Sequence, residues 1–152
     1  MNESEWITRK TRIDAQLREL DPKWNIIPYN EGMDISGLTH HAVEEYPTEN
    51  GPADYALFVK GKLLGILEAK KVAIDPQNVL EQAKRYSMGA AKTVGAWGKY
   101  KVPFLYSSNG TQIWFADVRD ENYYAREILK YHTPDAMAEM FARESGNYRK
   151  WF

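Results

Sequence analysis

Three charged residues stand in an otherwise apolar stretch of this chain. Residues 51–70 read GPADYALFVKGKLLGILEAK, in which Asp54 lies 14 positions before Glu68 and Lys70 follows two positions later. Hard divalent cations such as Mg²⁺ prefer oxygen ligands, which two carboxylates supply. An ammonium group beside them can hold an attacking water or stabilise charge on a phosphate. The three residues are therefore candidates for metal-assisted hydrolysis.

The pattern around these residues predicts a β-hairpin that brings them together. Two apolar runs flank residues 60–62 (Lys-Gly-Lys), which we interpret as a three-residue turn. Counting outward from that turn places Asp54 opposite Glu68 on one face, with Lys70 pointing the same way. A two-residue turn would shift the register by one and separate the carboxylates, so the prediction depends on the longer turn.

The apolar setting gives the two carboxylates a further property. Opposed carboxylates repel each other and burial disfavours their ionisation, so the pair needs a cation or a shared proton. A purely structural interpretation stays open at this point. In that interpretation Asp54 is a turn residue at a strand start, and Glu68 forms an ion pair with Lys70.

Composition restricts the class of protein. The 152 residues are 43% hydrophobic and 13% aromatic, which predicts a single folded domain over 1–152. Cysteine is absent and the three histidines lack zinc-site spacing, which excludes thiolate sites and argues against a zinc hydrolase. No apolar run approaches the ~20 residues of a membrane span, and the first ten residues, MNESEWITRK, lack the hydrophobic region of a signal peptide, so we expect a cytoplasmic protein.

The net charge of −1 argues against a protein that grips nucleic acid unaided. Affinity for DNA comes mainly from neutralisation of phosphates by lysine and arginine. A module that a larger assembly delivers to DNA does not need a strong basic field of its own.

The elements around the hairpin are predicted from periodicity, caps and turn residues. Ser4 can cap a helix from Glu5 whose apolar side includes Trp6 and Ile13. Glu44, Glu45 and Glu49 are expected to form a solvated acidic edge; one of them could instead approach the metal, but nothing in the spacing selects it. The remaining predictions are a first strand at the sheet edge near residues 38–45, a helix over 77–94, strands over 103–106 and 112–116 joined by Asn109-Gly110, a helix over 121–131 and a last helix that starts at Thr133-Pro134.

Pro52-Ala53-Asp54 followed by Glu68-Ala69-Lys70 resembles the signature of PD-(D/E)XK nucleases, with one residue inserted after the proline. The longer pattern G-x-A-D-Y-x-L-F-V, a glycine turn and I-L-E-A-K-K resembles the N-terminal nuclease domain of the restriction (R) subunit of type I restriction-modification enzymes. The resemblance extends to E-x-x-T-R at residues 5–9, Q-x-x-x-Y at residues 82–86 and the strand pair around S-S-N-G-T.

This resemblance implies an α/β fold of the restriction-endonuclease-like type, a mixed sheet flanked by helices, and Mg²⁺-dependent cleavage of double-stranded DNA. It implies that Asp54, Glu68 and Lys70 are catalytic, that Asp54 and Glu68 hold the metal with the carbonyl of Ala69, and that Lys70 assists the attacking water. Glu5 is a candidate further ligand by position. An acidic residue in the first turn of a helix is equally explained by the helix dipole.

The resemblance also implies residues that handle DNA. Gln82 and Tyr86 lie one turn apart on the helix that follows the hairpin, and in related nucleases this pair is implicated in DNA handling. Lys84 and Arg85, on the same helix, could add a positively charged surface beside the site. The structural alternatives are a tyrosine at the edge of the core and a solvated basic helix face.

R subunits of this family continue into an ATP-driven motor and act with specificity and modification subunits. This chain contains no Walker A sequence, so we expect a fragment of a larger R subunit or a stand-alone relative, with ATP needed only by the missing motor. Two alternatives remain. One is a non-catalytic module that docks or positions DNA, and the other is a PD-(D/E)XK nuclease from a different DNA-processing pathway.

Overall fold

The computed structural model describes residues 4–70 and 79–143 of the chain. These residues form a mixed sheet of seven strands whose spatial order follows the chain. The β1–β2 and β4–β5 pairs are parallel and the other neighbours are antiparallel. The strands are β1 Asn25–Pro28, β2 His40–Thr48, β3 Gly51–Val59, β4 Lys62–Ala69, β5 Phe104–Ser108, β6 Ile113–Asp117 and β7 Arg126–Ile128.

Helices cover both faces of this sheet, which confirms the predicted α/β class. The helices are α1 Glu5–Thr8, a π-helical segment Arg9–Ile13, α2 Asp14–Arg18, a short 3-10 turn Ile35–Gly37, α3 Glu81–Met88 and α4 Pro134–Ala142. One apolar core contains Ala83 of α3, and the other contains Leu17 of α2 and Met137 of α4. Within the described ranges, no helix is long and apolar enough to cross a bilayer.

The N-terminal helix (residues 5–18) begins as predicted. The Ser4 hydroxyl accepts a hydrogen bond from the Ile7 amide at 3.1 Å, which satisfies one of the free amides of the first turn. The helix then widens, because the Asp14 amide donates to the Arg9 carbonyl five residues back. This extra residue shifts the phase of the helix. Ile13 is buried as predicted, whereas Trp6, before the shift, is 64% exposed and its predicted place on the apolar side is wrong.

The predicted three-residue turn of the hairpin is wrong, because the structure has a two-residue turn at Lys60-Gly61 with Val59 paired to Lys62. Both turn residues have positive φ, 53° and 76°, as this tight turn requires. A β-bulge follows, since Phe58 pairs with Leu63 and Leu57 with Gly65, which leaves Leu64 without a partner across the hairpin.

The bulge restores the register that the longer turn would have given. Ala56 pairs with Ile66 and Tyr55 with Leu67, so the next step of the ladder places Asp54 opposite Glu68. The predicted juxtaposition of the two carboxylates is therefore confirmed, although its assumed cause was wrong. One extra residue in β4 compensates for one residue fewer in the turn.

Three predicted elements need correction. The strand near residues 38–45 is not at the edge: it is β2, and the edge strand is β1, which pairs parallel to it. The segment 121–131 contains β7 instead of a helix, because pairing with β6 satisfies backbone groups that local helix propensity alone would not. Helix α3 ends at Met88, and of its predicted range residues 77–78 lie outside the described part. Gly89 is its C-cap, and a Cβ there would stand 2.9 Å from the Asn50 side-chain nitrogen Nδ2.

The other predicted elements are confirmed. Strands β5 and β6 are joined through Asn109-Gly110, where Gly110 has a φ of 92°. Helix α4 begins at Pro134 and is capped by Thr133, whose hydroxyl accepts a hydrogen bond from the Ala136 amide at 3.0 Å.

Candidate active site

The carboxylates of Asp54 in β3 and Glu68 in β4 each accept a hydrogen bond from a backbone amide of the other strand, at one end of the hairpin. The Asp54 amide donates a hydrogen bond to Glu68 Oε2 at 2.6 Å, and the Ala69 amide donates to Asp54 Oδ2 at 2.8 Å. Glu68 is 2% exposed and the Asp54 side chain 19%. Two carboxylates are thus fixed side by side in a largely apolar setting by backbone groups of adjacent strands.

This arrangement disfavours ionisation of both groups. Burial raises the pKa of Asp54, against the opposing effects of the Ala69 amide and the Arg9 charge. Burial and the nearby charge of Asp54 raise the pKa of Glu68 to about 9. In the absence of another cation, the Glu68 side chain is therefore protonated near neutral pH, as expected for opposed buried carboxylates.

Lys70 and Glu5 lie within electrostatic range of the pair. Lys70 directly follows β4, its amide donates to the Ser108 carbonyl at 2.8 Å, and its positive charge opposes the rise in the Glu68 pKa. Glu5 is exposed in the first turn of α1, and its negative charge is a minor contributor to the raised pKa of Asp54. Their catalytic and metal-binding roles remain predictions.

Tyr86 of α3 lies close to the carboxylates. A Cβ added to Gly51 would stand 3.4 Å from Tyr86 Cε1, so the ring covers the start of β3. Burial raises the pKa of Tyr86, and the charges of Glu68 and Asp54 raise it further. Gln82 is half-buried one helical turn before Tyr86.

The two basic residues of α3 differ in their surroundings. Lys84 Nζ lies 5.2 Å from the centre of the Tyr123 ring, a cation–π contact on another side of the helix from Tyr86. Arg85 is exposed, and its carbonyl accepts a hydrogen bond from the Asn50 side chain at 2.6 Å. Of the four residues predicted to bind DNA, the structure places Tyr86 beside the carboxylates and directs Lys84 elsewhere.

Sequence reasoning missed an arginine at this site. Arg9 Nη1 lies 2.5 Å from Glu45 Oε1 and 3.4 Å from Asp54 Oδ1, and Nη2 lies 2.9 Å from Glu44 Oε2. Burial alone would lower the Arg9 pKa, but the hydrogen bond that Arg9 donates to Glu45 and the negative charge of Asp54 raise it. The prediction that Glu44 is solvated is wrong, because its side chain is only 15% exposed.

The only sequence signal for this contact was the pairing of a basic doublet, Arg9-Lys10, with an acidic doublet, Glu44-Glu45. No spacing rule connects residues about 35 positions apart on a helix and a strand, since their contact depends on how the helix packs on the sheet.

The donor set suits the metal that the resemblance implies. Asp54 and Glu68 offer only oxygen atoms, which Mg²⁺ prefers, and a divalent cation would remove the reason for Glu68 to keep its proton. The described residues contain no group of three or more His, Cys, Asp and Glu side chains arranged around a metal position. Backbone, water or phosphate oxygens would have to complete the shell, as is common for Mg²⁺.

The domain is an α/β fold with a mixed sheet of seven strands, helices on both faces and a central hairpin that carries two carboxylates at one end. The sequence family described as "Type I restriction enzyme EcoKI endonuclease subunit second domain" matches residues 24–141 of the chain. The chain therefore belongs to this family of type I restriction enzyme endonuclease subunit domains. That description numbers the domain second in its subunit, whereas the sequence resemblance was to an N-terminal nuclease domain.

Two relatives agree with this assignment. The type I restriction enzyme EcoKI endonuclease subunit of Escherichia coli (strain K12) is 28% identical over an alignment of 188 positions, which covers 92% of this chain and 16% of that subunit. A solved fragment, assigned as an HsdR subunit of a type I restriction enzyme from Vibrio vulnificus YJ016, has a TM-score of 0.64 at 19% identity. It supports the fold, and the alignment covers 96% of this chain and 27% of that one.

Proposed function

We propose that this domain is the endonuclease of a type I restriction enzyme R subunit and that it hydrolyses phosphodiester bonds of double-stranded DNA with Mg²⁺. The observation that carries the proposal is the reciprocal bonding of Asp54 and Glu68 to each other's strands. A buried carboxylate pair of this kind is unfavourable for a stable sheet and useful for holding a cation. Family membership supports the choice of DNA as substrate.

The chain's own residues divide the work as follows. Asp54 and Glu68, with the carbonyl of Ala69 and with Glu5 as a further candidate, would hold Mg²⁺, which when bound neutralises phosphate charge and makes water a better nucleophile. The Ala69 amide fixes the orientation of the Asp54 carboxylate. Glu68 would give up the proton that it carries in the metal-free domain.

Lys70 and α3 act on the substrate in this proposal. The Lys70 ammonium would hold the attacking water and stabilise the negative charge that develops on the phosphate. Tyr86, beside the carboxylates, and Gln82, one helical turn before it, would position the DNA backbone, with exposed Arg85 adding positive charge. Lys84, which lies over the Tyr123 ring, would act there only if it left that contact. The hydroxyl of Tyr86 can donate a hydrogen bond to a phosphate oxygen.

The wider assembly is also part of the proposal. The chain spans 16% of the length of the curated relative, which supports a single domain of a larger R subunit whose motor, and with it the ATP requirement, lies elsewhere. The net charge of −1 fits a domain that specificity, modification and motor components deliver to DNA.

The first test is calorimetric titration of Mn²⁺, a common substitute for Mg²⁺, into the 152-residue chain and into Asp54→Ala. Asp34→Ala is the matched control, because Asp34 is an exposed acid that caps a short turn. We expect binding to the wild type and to the control, and none to Asp54→Ala. Equal binding by all three proteins would place the metal elsewhere and favour a docking or DNA-positioning module.

The second test is DNA cleavage by the full-length R subunit in its enzyme complex, with Asp54→Ala and the same control. Cleavage that survives Asp54→Ala would reject the catalytic assignment. Loss of cleavage with intact assembly and intact translocation would support it.

A further inference from the structure

We propose that Arg9 is an internal counter-cation of the carboxylate site, which pairs with Asp54 in the metal-free domain and competes with the metal for it. The inference rests on the proposed function for the identity of the metal site. It gives a role to a buried guanidinium that the cleavage chemistry does not use.

The contacts of Arg9 are unequal in a way that suits this role. Its guanidinium is held by Glu45 at 2.5 Å and by Glu44 at 2.9 Å, whereas Asp54 Oδ1 lies 3.4 Å and the Asp54 carbonyl 3.5 Å away. A charge-assisted hydrogen bond weakens steeply with distance. The contact to Asp54 can therefore be given up while the two glutamates keep Arg9 in place.

The helix is irregular where it presents Arg9. The π-helical segment begins at this residue, and the Asp14 amide reaches back to the Arg9 carbonyl. Single π turns interrupt helices rarely and occur often at functional sites. The extra residue changes the direction in which the first part of the helix presents its side chains.

The strand that meets Arg9 is irregular as well. Glu45 has a φ of 56°, which a non-glycine residue adopts only at an energetic cost. Side chains of a regular strand alternate between faces, so Glu44 and Glu45 could not both reach one guanidinium. The positive φ of Glu45 breaks this alternation, so both glutamates contact the Arg9 guanidinium. For the same reason Val43 and Tyr46, three residues apart, both pack in the core on the other face of the sheet.

The pairing register on both sides of Glu45 is unbroken. Glu44 pairs with Tyr55 and Tyr46 with Ala53, so Glu45 stands opposite Asp54 across β2 and β3. Glu45, Asp54 and Glu68 consequently lie in one row across three adjacent strands. The strained residue thus lies directly beside the carboxylate pair.

Hydrogen bonding of Arg9 is incomplete despite its burial. The side chain is 8% exposed and lies over the Tyr55 ring at 5.1 Å, and in the described part of the structure its Nε has no hydrogen-bond partner. An arginine kept only for stability would be expected to use all its buried donors. Arg9 is instead held by its ion pairs with carboxylates, and its Nε donor is unused.

The local charges do not balance. In the ion pairs of the described residues, two cations, Arg9 and Lys10, meet four carboxylates, those of Asp14, Glu44, Glu45 and Asp54. Glu5 and Lys70 act on the carboxylate pair with opposite charges and leave this difference unchanged. The cluster is short of two positive charges even before Glu68 ionises, which is the charge of one divalent ion. Arg9 therefore reduces the repulsion at Asp54 but does not remove it.

The proposal predicts that a divalent metal binds more tightly when Arg9 is neutral. A unit charge that close to Asp54 repels a divalent ion strongly even at an effective dielectric constant of about 20. The test is calorimetric titration of Mn²⁺ into the 152-residue chain carrying Arg9→Gln. We expect the dissociation constant to fall by about tenfold or more relative to wild type, and Arg9→Lys to bring it back toward the wild-type value.

Lys10→Gln is the matched control. Lys10 carries the same charge on the next residue and pairs with Glu44 and Asp14. We expect its removal to tighten Mn²⁺ binding by no more than about threefold, because a more distant and more exposed charge is screened. An equal gain from Lys10→Gln would show a general charge effect and overturn the specific role of Arg9. Unchanged or weaker binding by Arg9→Gln would overturn it as well.

The combination Arg9→Gln with Asp54→Ala separates this proposal from the proposed function. If Asp54→Ala abolishes binding in both backgrounds but Arg9→Gln does not tighten it, only the role of Arg9 is wrong. If Asp54→Ala changes nothing in either background, the metal site itself is misplaced and both proposals fail.

If Arg9→Gln does not fold, Glu45→Gln tests the proposal instead, and the expected change in Mn²⁺ affinity is then a decrease. Glu45 is half-exposed, at 55% of its side chain, so its substitution is expected to be tolerated. Without this anchor the guanidinium can pair fully with Asp54, and Mn²⁺ binding should weaken several-fold. Unchanged or tighter binding by Glu45→Gln would contradict the proposal.

Discussion

Among the described residues, the side chains of Arg9 and Arg119 are both largely buried, and their surroundings differ in kind. Arg119 has a side chain 7% exposed and pairs with Asp117, whose Oδ2 lies 2.8 Å from its Nη2. It also donates to the carbonyls of Met140 and Phe141, at 2.9 and 3.2 Å, and to that of Arg143 at 2.9 Å. These carbonyls lie at the C-terminus of α4, where helical hydrogen bonds run out. We call this arrangement the α4 cap.

The contrast with Arg9 teaches how to separate a structural from a functional charge. In the α4 cap one arginine meets one acid, backbone oxygens take the remaining donors, and the Phe104 ring lies 5.0 Å from the guanidinium. Around Arg9 the partners are three acids, one donor is unused and the nearby backbone is strained. Burial is the same in both places, so the balance of charge and hydrogen bonds carries the distinction.

The largest expected effect is a loss of DNA cleavage on substitution of Lys70, at the carboxylate end of the hairpin, without loss of the fold. Lys70→Ala in the full R subunit should lower the DNA cleavage rate by about 10²- to 10⁴-fold, because a positioned proton-transfer or charge-stabilising group is lost. Mn²⁺ binding by the 152-residue chain should persist. Lys62→Ala is the control, since Lys62 lies at the other end of β4, over the Phe141 ring. Normal cleavage by Lys70→Ala would reject its role.

The next largest effect is a loss of folding stability on substitution of Arg119 in the α4 cap. Arg119→Gln should reduce the free energy of unfolding by about 3 kcal/mol, because Asp117 and the helix carbonyls lose a buried partner. Urea unfolding of the 152-residue chain measures it. Added Mn²⁺ should stabilise this variant by the same amount as wild type. A change in Mn²⁺ affinity would mean that the two arginines are not as separate as the contacts indicate.

A smaller effect concerns the pH dependence of stability. The pKa of Glu68 rises from 4.5 to about 9 on folding, so the folded chain binds the proton more tightly. The stabilisation is complete below pH 4.5 and is lost as pH rises toward 9, with a slope of up to about 1.4 kcal/mol per pH unit. Glu68→Gln, a permanently neutral isostere, should flatten this slope.

Urea unfolding at several pH values between 6 and 9, with metal removed by a chelator, measures the slope. Asp34→Asn is the control, because hydrogen bonds from Ser36 lower the Asp34 pKa below its usual 3.8 and the group does not titrate in that range. An equal slope in wild type and Glu68→Gln would show that Glu68 is ionised in the metal-free fold.

The smallest effect is expected at Tyr86. Tyr86→Phe keeps the ring over Gly51, so unfolding should change little. If the hydroxyl contacts DNA, the variant should bind or cleave DNA about 2- to 10-fold less well, the worth of one hydrogen bond. Cleavage equal to wild type would leave Tyr86 as a packing residue.

Local patterns were enough to predict much of the fold. The Ser4 and Thr133 caps, the Asn109-Gly110 connection and the two apolar runs of the central hairpin each depend on residues close in sequence. The pairing of Asp54 with Glu68 was also predicted, but from a turn of the wrong length. Two local errors cancelled, because the bulge at Leu64 has no strong sequence signature.

What the sequence did not reveal depends on packing between distant segments. Strand β1 was missed because its four residues are stabilised by parallel pairing with β2 rather than by their own pattern. Arg9, Glu44 and Glu45 were missed as a cluster because a helix, a strained strand residue and a second strand must all be in place before they meet. The site therefore contains three charged residues, Arg9, Glu44 and Glu45, that the resemblance to a nuclease signature did not indicate.

The bulge at Leu64 has a consequence for insertions and deletions in relatives of this hairpin. Deletion of Leu64 would remove the bulge and leave Leu57 opposite Gly65 and Asp54 opposite Glu68, so this deletion should be tolerated. A strand that kept Leu64 but lost the bulge would instead place Leu67 opposite Asp54 and turn Glu68 to the opposite face, while leaving every catalytic residue type present. Alignments that count only residue identities would score such a chain as intact, although its two carboxylates could no longer meet.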